Sequence, residues 1–456
     1  MKAKSLFMKL FAVALTISML LTVTACKNAA TEETTEPVAT SSESTSEAAA
    51  TEAPATEVST EPITLKVMHN WGEGDNKSVP LHAFFDAFEA MYPNVTIEEE
   101  VFSDKDIPTR VTTAFLAGEE PDIVFENLDA SALDWPTDGV TIDMAQLAKD
   151  LGIFDQMKPA AVAEWTSADG VLRALPLEGY TWPIWYNTAI LDQAGVAIPT
   201  TTDELINVAQ KVREAGFQPF VTGGTDWTGQ FVFYMTVASM LTDEEVRDLY
   251  SNGGFSNNAN AVAGVELFVK LRDAGVFADG VEGMTMASSN EMFYSGQAAM
   301  MHAGSWFFAE CPEDMMKNTV LGGFPLTTGS PHSKPIIYSS FEGKGVWVTR
   351  NGATKMDVVS NFIKLLYSPE TMKNFVEQSA MTSPLIETPV DASKLNPLFV
   401  QSTTLSDISE VTMIQKVYVP KNADENIRRV ANEAFVPGTP ASVILANMDA
   451  VYADLG

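Results

Sequence analysis

Cysteine is nearly absent from this 456-residue chain: Cys26 and Cys311 are the only two. That excludes a disulfide framework and a cysteine-based zinc site. If Cys26 is consumed by the N-terminal chemistry described below, Cys311 has no partner and reads as a small buried apolar residue. Histidine is scarce as well. The four (His69, His82, His302, His332) show no His-x-x-x-His spacing, so neither a metal nor a cofactor is expected. Basic charge is short: 28 Lys and Arg stand against 60 Asp and Glu, a net charge of −32. Nucleic acid requires a basic footprint that this chain lacks, and wide docking on anionic lipid is disfavoured. Beyond that, acidity speaks only of solubility. Catalytic signatures are missing too. There is no Gly-x-Ser-x-Gly elbow and no Walker loop, and Gly343-Lys344-Gly345 lacks the third glycine and following acid of a dinucleotide site. Neighbouring acids such as Asp104 with Asp106, or Glu119 with Glu120, do not make a glycosidase pair, which needs two carboxyls about 5–10 Å apart across one bond. The chain is not expected to be an enzyme.

The N-terminal hydrophobic run is short. Leu10 to Ala25 follows a basic start carrying Lys2, Lys4 and Lys9, and falls below the roughly 20 apolar residues of a membrane span. Basic start, apolar core and small-residue end describe an export signal over 1–25. Its last residues, Val23-Thr24-Ala25-Cys26, resemble a bacterial lipobox, which implies acylation (palmitate-like lipid) of Cys26 as the first mature residue. An ordinary secretory signal with a chance cysteine is the alternative. Residues 26–62 follow as a spacer: Lys27 to Pro62 holds eight Glu against one Lys and no aromatic residue. Such a segment cannot bury enough apolar surface to offset chain entropy, and its charges keep it extended. The expectation is a lipid-anchored, extracellular protein at the outer face of a bacterial cytoplasmic membrane. The length of the tether points to a Gram-positive wall, with a periplasmic lipoprotein left open.

Beyond residue 62 the remaining chain exceeds one hydrophobic core and calls for two lobes. Ile63, Leu65 and Val67 alternate as a strand leading to Asn70-Trp71-Gly72. Leu81, Phe84, Phe85, Phe88 and Met91 then line one helical face. Val95 to Val101 reads as a second strand, Ile107 to Leu116 as a helix ending at Gly118, and Ile123-Val124-Phe125 as a short buried strand. Thr201 and Glu204 have capping-box spacing before a helix closed by Gly216. Strands at Phe217–Val221, Ala298–Met301 and Val346–Val348 and a helix-rich end over 400–453 complete the alternation. Such alternation implies βαβ units on parallel sheets.

Several ordered segments carry a resemblance. Ala117-Gly118-Glu119-Glu120-Pro121-Asp122-Ile123-Val124 comes first. Next is Leu175-Pro176, Trp185-Tyr186-Asn187, Ala194-Gly195 and Pro199-Thr200-Thr201. Phe293-Tyr294-Ser295-Gly296-Gln297-Ala298-Ala299-Met300 follows with Gly304-Ser305-Trp306, then Phe324-Pro325-Leu326 and Phe435-Val436-Pro437-Gly438. Together, across 63–450, they resemble the family 1 extracellular solute-binding proteins, the sugar-binding subunits of ABC importers similar to maltose-binding protein. The resemblance implies an α/β, two-lobed periplasmic-binding-protein-like fold (type II), each lobe a mostly parallel sheet flanked by helices. Lobe 1 would be 63–177 plus 342–382, and lobe 2 would be 178–341 plus 383–456. Crossings would lie near Leu177–Trp182, Ser340–Gly345 and 380–390. It also implies a monomer, an ABC permease with a separate ATPase as partner, and a carbohydrate, in particular an oligosaccharide, as ligand. Phe125-Glu126-Asn127 lacks the aromatic–Asp–Arg pattern of maltodextrin binders, so that particular sugar is not carried over.

The residues themselves fit sugar capture. Sugar rings present apolar C–H faces to aromatic planes and hydroxyls to carboxylates and amides, and ligands of open α/β sheets bind beyond the carboxyl ends of strands. Asn70 and Trp71, Glu126 and Asn127, Asp226 and Trp227, and Ser305 and Trp306 follow strands; Tyr180, Trp182 and Glu342 lie at the crossings. These eleven are the candidate ligand residues, each with packing or surface solvation as the structural alternative. Trp185 and Trp347 read as core, and Trp135 and Trp165 as packing or surface residues. The acids Glu73, Asp75, Glu126, Asp226 and Glu342 keep a polyamine or other cationic solute open, and a surface sensor or adhesin is the third reading.

Overall fold

The structure is a computed structural model, and it describes residues 61–453. The expected signal segment, Cys26 and nearly all of the acidic spacer lie outside the described residues. Among the described residues, ten strands form two mixed sheets: β1 (Ile63–His69), β2 (Val95–Val101), β3 (Ile123–Glu126), β4 (Leu175–Trp182), β5 (Ile184–Asn187), β6 (Gln218–Val221), β7 (Ala298–His302), β8 (Thr319–Gly322), β9 (Ile336–Val348) and β10 (Glu410–Thr412). The first sheet runs β10-β9-β3-β1-β2, with β4 added along β9. The second runs β6-β7-β5-β8.

The βαβ expectation holds where a helix returns the chain: β1 pairs parallel with β2 and β3, and β6 with β7. Elsewhere the direction reverses. β9 lies antiparallel to β3 and β4, and β5 antiparallel to β7 and β8. The second sheet therefore departs from a mostly parallel one. β5 follows β4 with only Pro183 between them, and enters the second sheet between β7 and β8, antiparallel to both.

Local chemistry explains the helices. In the helix Thr202–Glu214 the Thr201 side chain accepts from the Glu204 N–H and the Glu204 side chain reaches back, closing the box. Gly216, at φ 90°, takes the left-handed turn beyond it. In the helix Ser78–Met91, Leu81, Phe84, Phe85 and Phe88 are buried as their spacing requires. Met91, the last residue of the helix, is the exception at 57% exposed.

Three apolar cores result. Leu65, Val67, Phe84, Phe88, Phe125 and Trp347 belong to the first, over the six-stranded sheet. Tyr186, Phe220, Phe233 and Phe268 belong to the second, and Trp185, Met301, Phe308 and Cys311 to a smaller third. Two strands run between them. β4 gives Leu175 and Leu177 to the first core and Tyr180 and Trp182 to the second. β9 gives Ile336 and Tyr338 to the second and Val346, Trp347 and Val348 to the first. Their pairing, with register shifts between Pro176 and Glu178 and between Glu178 and Tyr180, forms a bent ribbon. Trp135 and Trp165 are both buried, edge-on to Trp347 at 5.0 and 5.6 Å.

Phe362 packs edge-on against Phe84 at 4.8 Å and Phe88 at 5.3 Å, fully buried. Phe362→Ala removes the ring and leaves a cavity, so it is expected to cost about 3–5 kcal/mol, read as a lowered urea midpoint by circular dichroism.

Candidate functional site

Four aromatic rings converge where the ribbon enters the second core. Trp182, at the end of β4, meets Trp227 at 5.4 Å and Trp306 at 5.1 Å, and Trp227 meets Trp306 at 5.9 Å. Tyr180 stands edge-on to Trp306 at 5.5 Å. Behind Trp182 lies His302, its ring parallel to within 4° at 4.9 Å. Tyr180 and Trp182 are buried, whereas Trp227 and Trp306 keep part of their surface open.

The backbone holds each ring in place. Trp227 begins the helix Trp227–Ala238, which Asp226 caps. Trp306 lies in the short 3₁₀ segment Ser305–Glu310 after β7. A side chain at Gly304 would strike the Trp306 ring at 2.2 Å, so glycine there lets the indole fold back over the chain. Ser305 Oγ accepts from the Thr181 N–H at 3.3 Å, tying that segment to β4.

Charge gathers at the other end of the ribbon. Lys344, from β9, pairs with Asp104 and lies 3.7 Å from Glu126. Lys77, preceding the helix Ser78–Met91, pairs with Glu178 of β4 at 3.1 Å. Burial pushes the Glu126 carboxyl up to about 8 against the pull of Lys344. Burial also opposes the Lys344 charge, yet Asp104 and Glu126 together hold the ammonium above its usual value. The first core also reaches the aromatic cluster directly: Asn76 Nδ2 donates to the Trp306 carbonyl at 2.8 Å. Around this junction Asn70 Oδ1, Asn76 Oδ1, Glu126 Oε2, Thr181 Oγ1, Trp182 Nε1 and Glu342 Oε2 are buried without a protein partner. Buried polar atoms are ordinarily bonded, so these six keep hydrogen-bonding capacity that a polar ligand can use, although other partnerless atoms lie elsewhere, among them the Tyr234 and Tyr250 hydroxyls.

The structure therefore joins Tyr180, Trp182, Trp227, Ser305 and Trp306. Glu126 lies beside Lys344, and the Asn127 N–H donates to Glu126 Oε1 at 2.6 Å. Glu342 opens onto a cavity of about 240 Å³ beside the ribbon. Trp71 stands apart from the rings: it is 1% exposed, packed on Phe125 at 5.6 Å and Phe375 at 5.9 Å. Asn70 precedes it at the end of β1. Both Asp226 oxygens are engaged, one by the Thr228 N–H and hydroxyl and one by the Met286 N–H. Lys77, Asn76, Glu178, Lys344 and His302 escaped the sequence reading. Only Lys344, framed by two glycines at a crossing, carried any local signal.

Residues 74–373 match the family described as bacterial extracellular solute-binding protein. A probable sugar-binding periplasmic protein of Rhizobium meliloti is 28% identical over 225 residues, 47% of this chain and 52% of that protein. Another, from Mesorhizobium japonicum, is 26% identical over 290 residues, 57% of this chain and 65% of that protein. The chain thus spans about half to just under two thirds of these curated relatives. Among solved structures, a probable secreted solute-binding lipoprotein from Streptomyces coelicolor is 34% identical, with a TM-score of 0.77 over 87% of this chain and 100% of that one. A chitin oligosaccharide binding protein has a TM-score of 0.75 at 20% identity over 86% of this chain and 98% of that one, a likeness of fold.

Two outcomes follow from the charges. Lys344→Met leaves Glu126 and Asp104 without their cation and is expected to lower unfolding free energy by about 3–5 kcal/mol, read by urea titration. Burial holds the Glu342 carboxyl up at about 7 from 4.5. Its contribution to stability is full below 4.5 and is lost as pH rises through about 7. Glu342→Gln removes that dependence, so its melting temperature is expected to fall less than that of the natural chain across the same rise.

Proposed function

The chain belongs to the bacterial extracellular solute-binding protein family, and on that premise we propose that it captures an extracellular carbohydrate, an oligosaccharide, and delivers it to an ABC permease. The two lobes would be 63–177 with 342–382 and 178–341 with 383–456, hinged on β4 and β9. The observation that carries this reading is the meeting of Tyr180, Trp182, Trp227 and Trp306 beside buried, unpartnered polar atoms. Aromatic faces take the apolar side of a sugar ring, and the polar atoms take its hydroxyls. Closure about the hinge buries the sugar, and the sugar favours the closed state only by binding it more tightly. No bond is made or broken.

A cationic ligand has less support. Glu126 and Glu178 already face Lys344 and Lys77, and Asp226 is spent on a helix cap. The names of the Rhizobium relative and of the chitin oligosaccharide binding protein point the same way as the rings. Among the described residues no helix is long and apolar enough to cross a membrane. Attachment at the outer face of the cytoplasmic membrane, in a Gram-positive host, would come from an acylated Cys26.

A thermal-shift panel of mono- and oligosaccharides, polyamines and amino acids on the purified protein tests the function. One sugar class is expected to raise the melting temperature, equivalent to about 2.7 kcal/mol at a hundredfold excess over Kd, and Trp306→Ala is expected to abolish the shift. A response to polyamines alone, or silence across the panel, contradicts the reading.

A further inference from the structure

The cavity beside the ribbon is built differently from the tryptophan cluster. Its floor is the hinge strand itself, Ser339, Ser340 and Glu342 of β9. One wall is Glu164, from the helix Pro159–Trp165 next to the first core; the opposite wall includes Met413 and Tyr418, next to the second. At about 240 Å³ it is smaller than the roughly 300–1,000 Å³ of a drug-sized site, and so suits a single ring rather than a chain.

Its polar groups are unequal. One Glu164 oxygen, Oε2, is occupied, accepting from the Ser340 hydroxyl at 2.8 Å and the Phe341 N–H at 2.6 Å. Ser340 Oγ in turn accepts from the Glu342 N–H at 3.0 Å. That leaves Glu342 Oε2, on a residue 8% exposed, buried with no protein partner. Tyr418 is half-buried at the cavity, with the Arg247 guanidinium 5.9 Å over its ring. The lining itself carries three carboxyls, from Glu164, Asp243 and Glu342, and no basic side chain; Lys416 acts on Glu342 and Glu164, and Arg247 on Tyr418 and Met413, from outside the lining.

Tyr180 connects the two places. Its ring stands against Trp306, and it pairs with Ser340 across the ribbon. The Glu342 and Glu164 charges both act on its hydroxyl.

We propose that this cavity is a second saccharide subsite, continuous with the tryptophan cluster through Tyr180, that takes one uncharged sugar ring. A ring hydroxyl donates to Glu342 Oε2, and the ring's apolar face lies against Tyr418. The subsite sets a preference for longer neutral oligosaccharides and refuses acidic ones, whose carboxylates would meet Glu164, Asp243 and Glu342. Because its floor is β9, a ring seated there touches the hinge strand and both sides of the ribbon at once. The inference rests on the carbohydrate reading and extends it to ligand length and charge.

Isothermal titration calorimetry tests it with three neutral series of one to four units: β-1,4-xylose, α-1,4-glucose and β-1,4-N-acetylglucosamine oligosaccharides. A glucuronic-acid-substituted xylo-oligosaccharide is the acidic probe. The natural chain, Glu342→Gln, Tyr418→Ala and Trp306→Ala are compared, each checked for an unchanged fold by circular dichroism. In the series that binds, the natural chain is expected to gain about tenfold in affinity at one added unit, equal to about 1.4 kcal/mol. Tyr418→Ala loses that gain and keeps the affinity for shorter members, Glu342→Gln loses the gain, and Trp306→Ala weakens every length. The acidic probe binds at least about tenfold more weakly than its neutral counterpart. A length gain that survives both cavity variants overturns the subsite while leaving the sugar reading intact. So does a uniform loss at all lengths in both, or equal binding of the acidic probe. If no saccharide binds the natural chain, the carbohydrate reading fails and the subsite with it.

Discussion

The pairing of β4 with β9 is the constraint on which the rest of this molecule depends. Each strand begins in one apolar core and ends in the other, so the eight residues of β4 and thirteen of β9 tie the two cores together. The register shifts around Glu178 bend the ribbon, and the charges sit at that bend: Glu178 faces Lys344 across the pair and reaches Lys77. Removing water from so many charges is costly unless every one is matched. Here the matching partners come from the loop at Asp104, from β3 and from the start of the first long helix, so the pairs lock those elements to the ribbon.

From that ribbon the site follows with few additional parts. Tyr180 and Trp182 are strand residues whose direction the pairing fixes, and they form the wall against which Trp227 and Trp306 are placed by a helix start and a 3₁₀ turn. Asn70, Asn76, Thr181 and Trp182 each contribute a partnerless polar atom near this wall, though others lie elsewhere in the cores. Apolar planes beside unspent hydrogen-bonding capacity suit a ligand that is both ring-faced and hydroxyl-rimmed.

Much of this was legible in the residue order, and what was not has a physical cause. β1 and β2 were readable from alternation or flanking breaks, and the helix Thr202–Glu214 from its capping box. Trp227 and Trp306 were found because they follow strands, and Tyr180 and Trp182 because they lie at an expected crossing. β9 was visible only at Val346–Val348, because Ser339-Ser340 and Gly343-Lys344-Gly345 have little strand preference and are extended by pairing with β4. Trp71 also follows a strand, yet Phe125 and Phe375 enclose it, contacts far along the chain that local order does not announce. The ion pairs of Lys77 and Lys344 are of the same kind: each partner looks like a solvated surface charge until the fold buries it.

Tryptophan emission during a saccharide titration tests the central claim, that the ring cluster is the surface that meets the sugar. Trp182, Trp227 and Trp306 stand in mutual contact, so a ring docking there alters their surroundings. The account predicts a saturable emission change with the same midpoint as calorimetry, largely lost in Trp306→Phe. A sugar that binds by calorimetry while leaving the emission unchanged would contradict it.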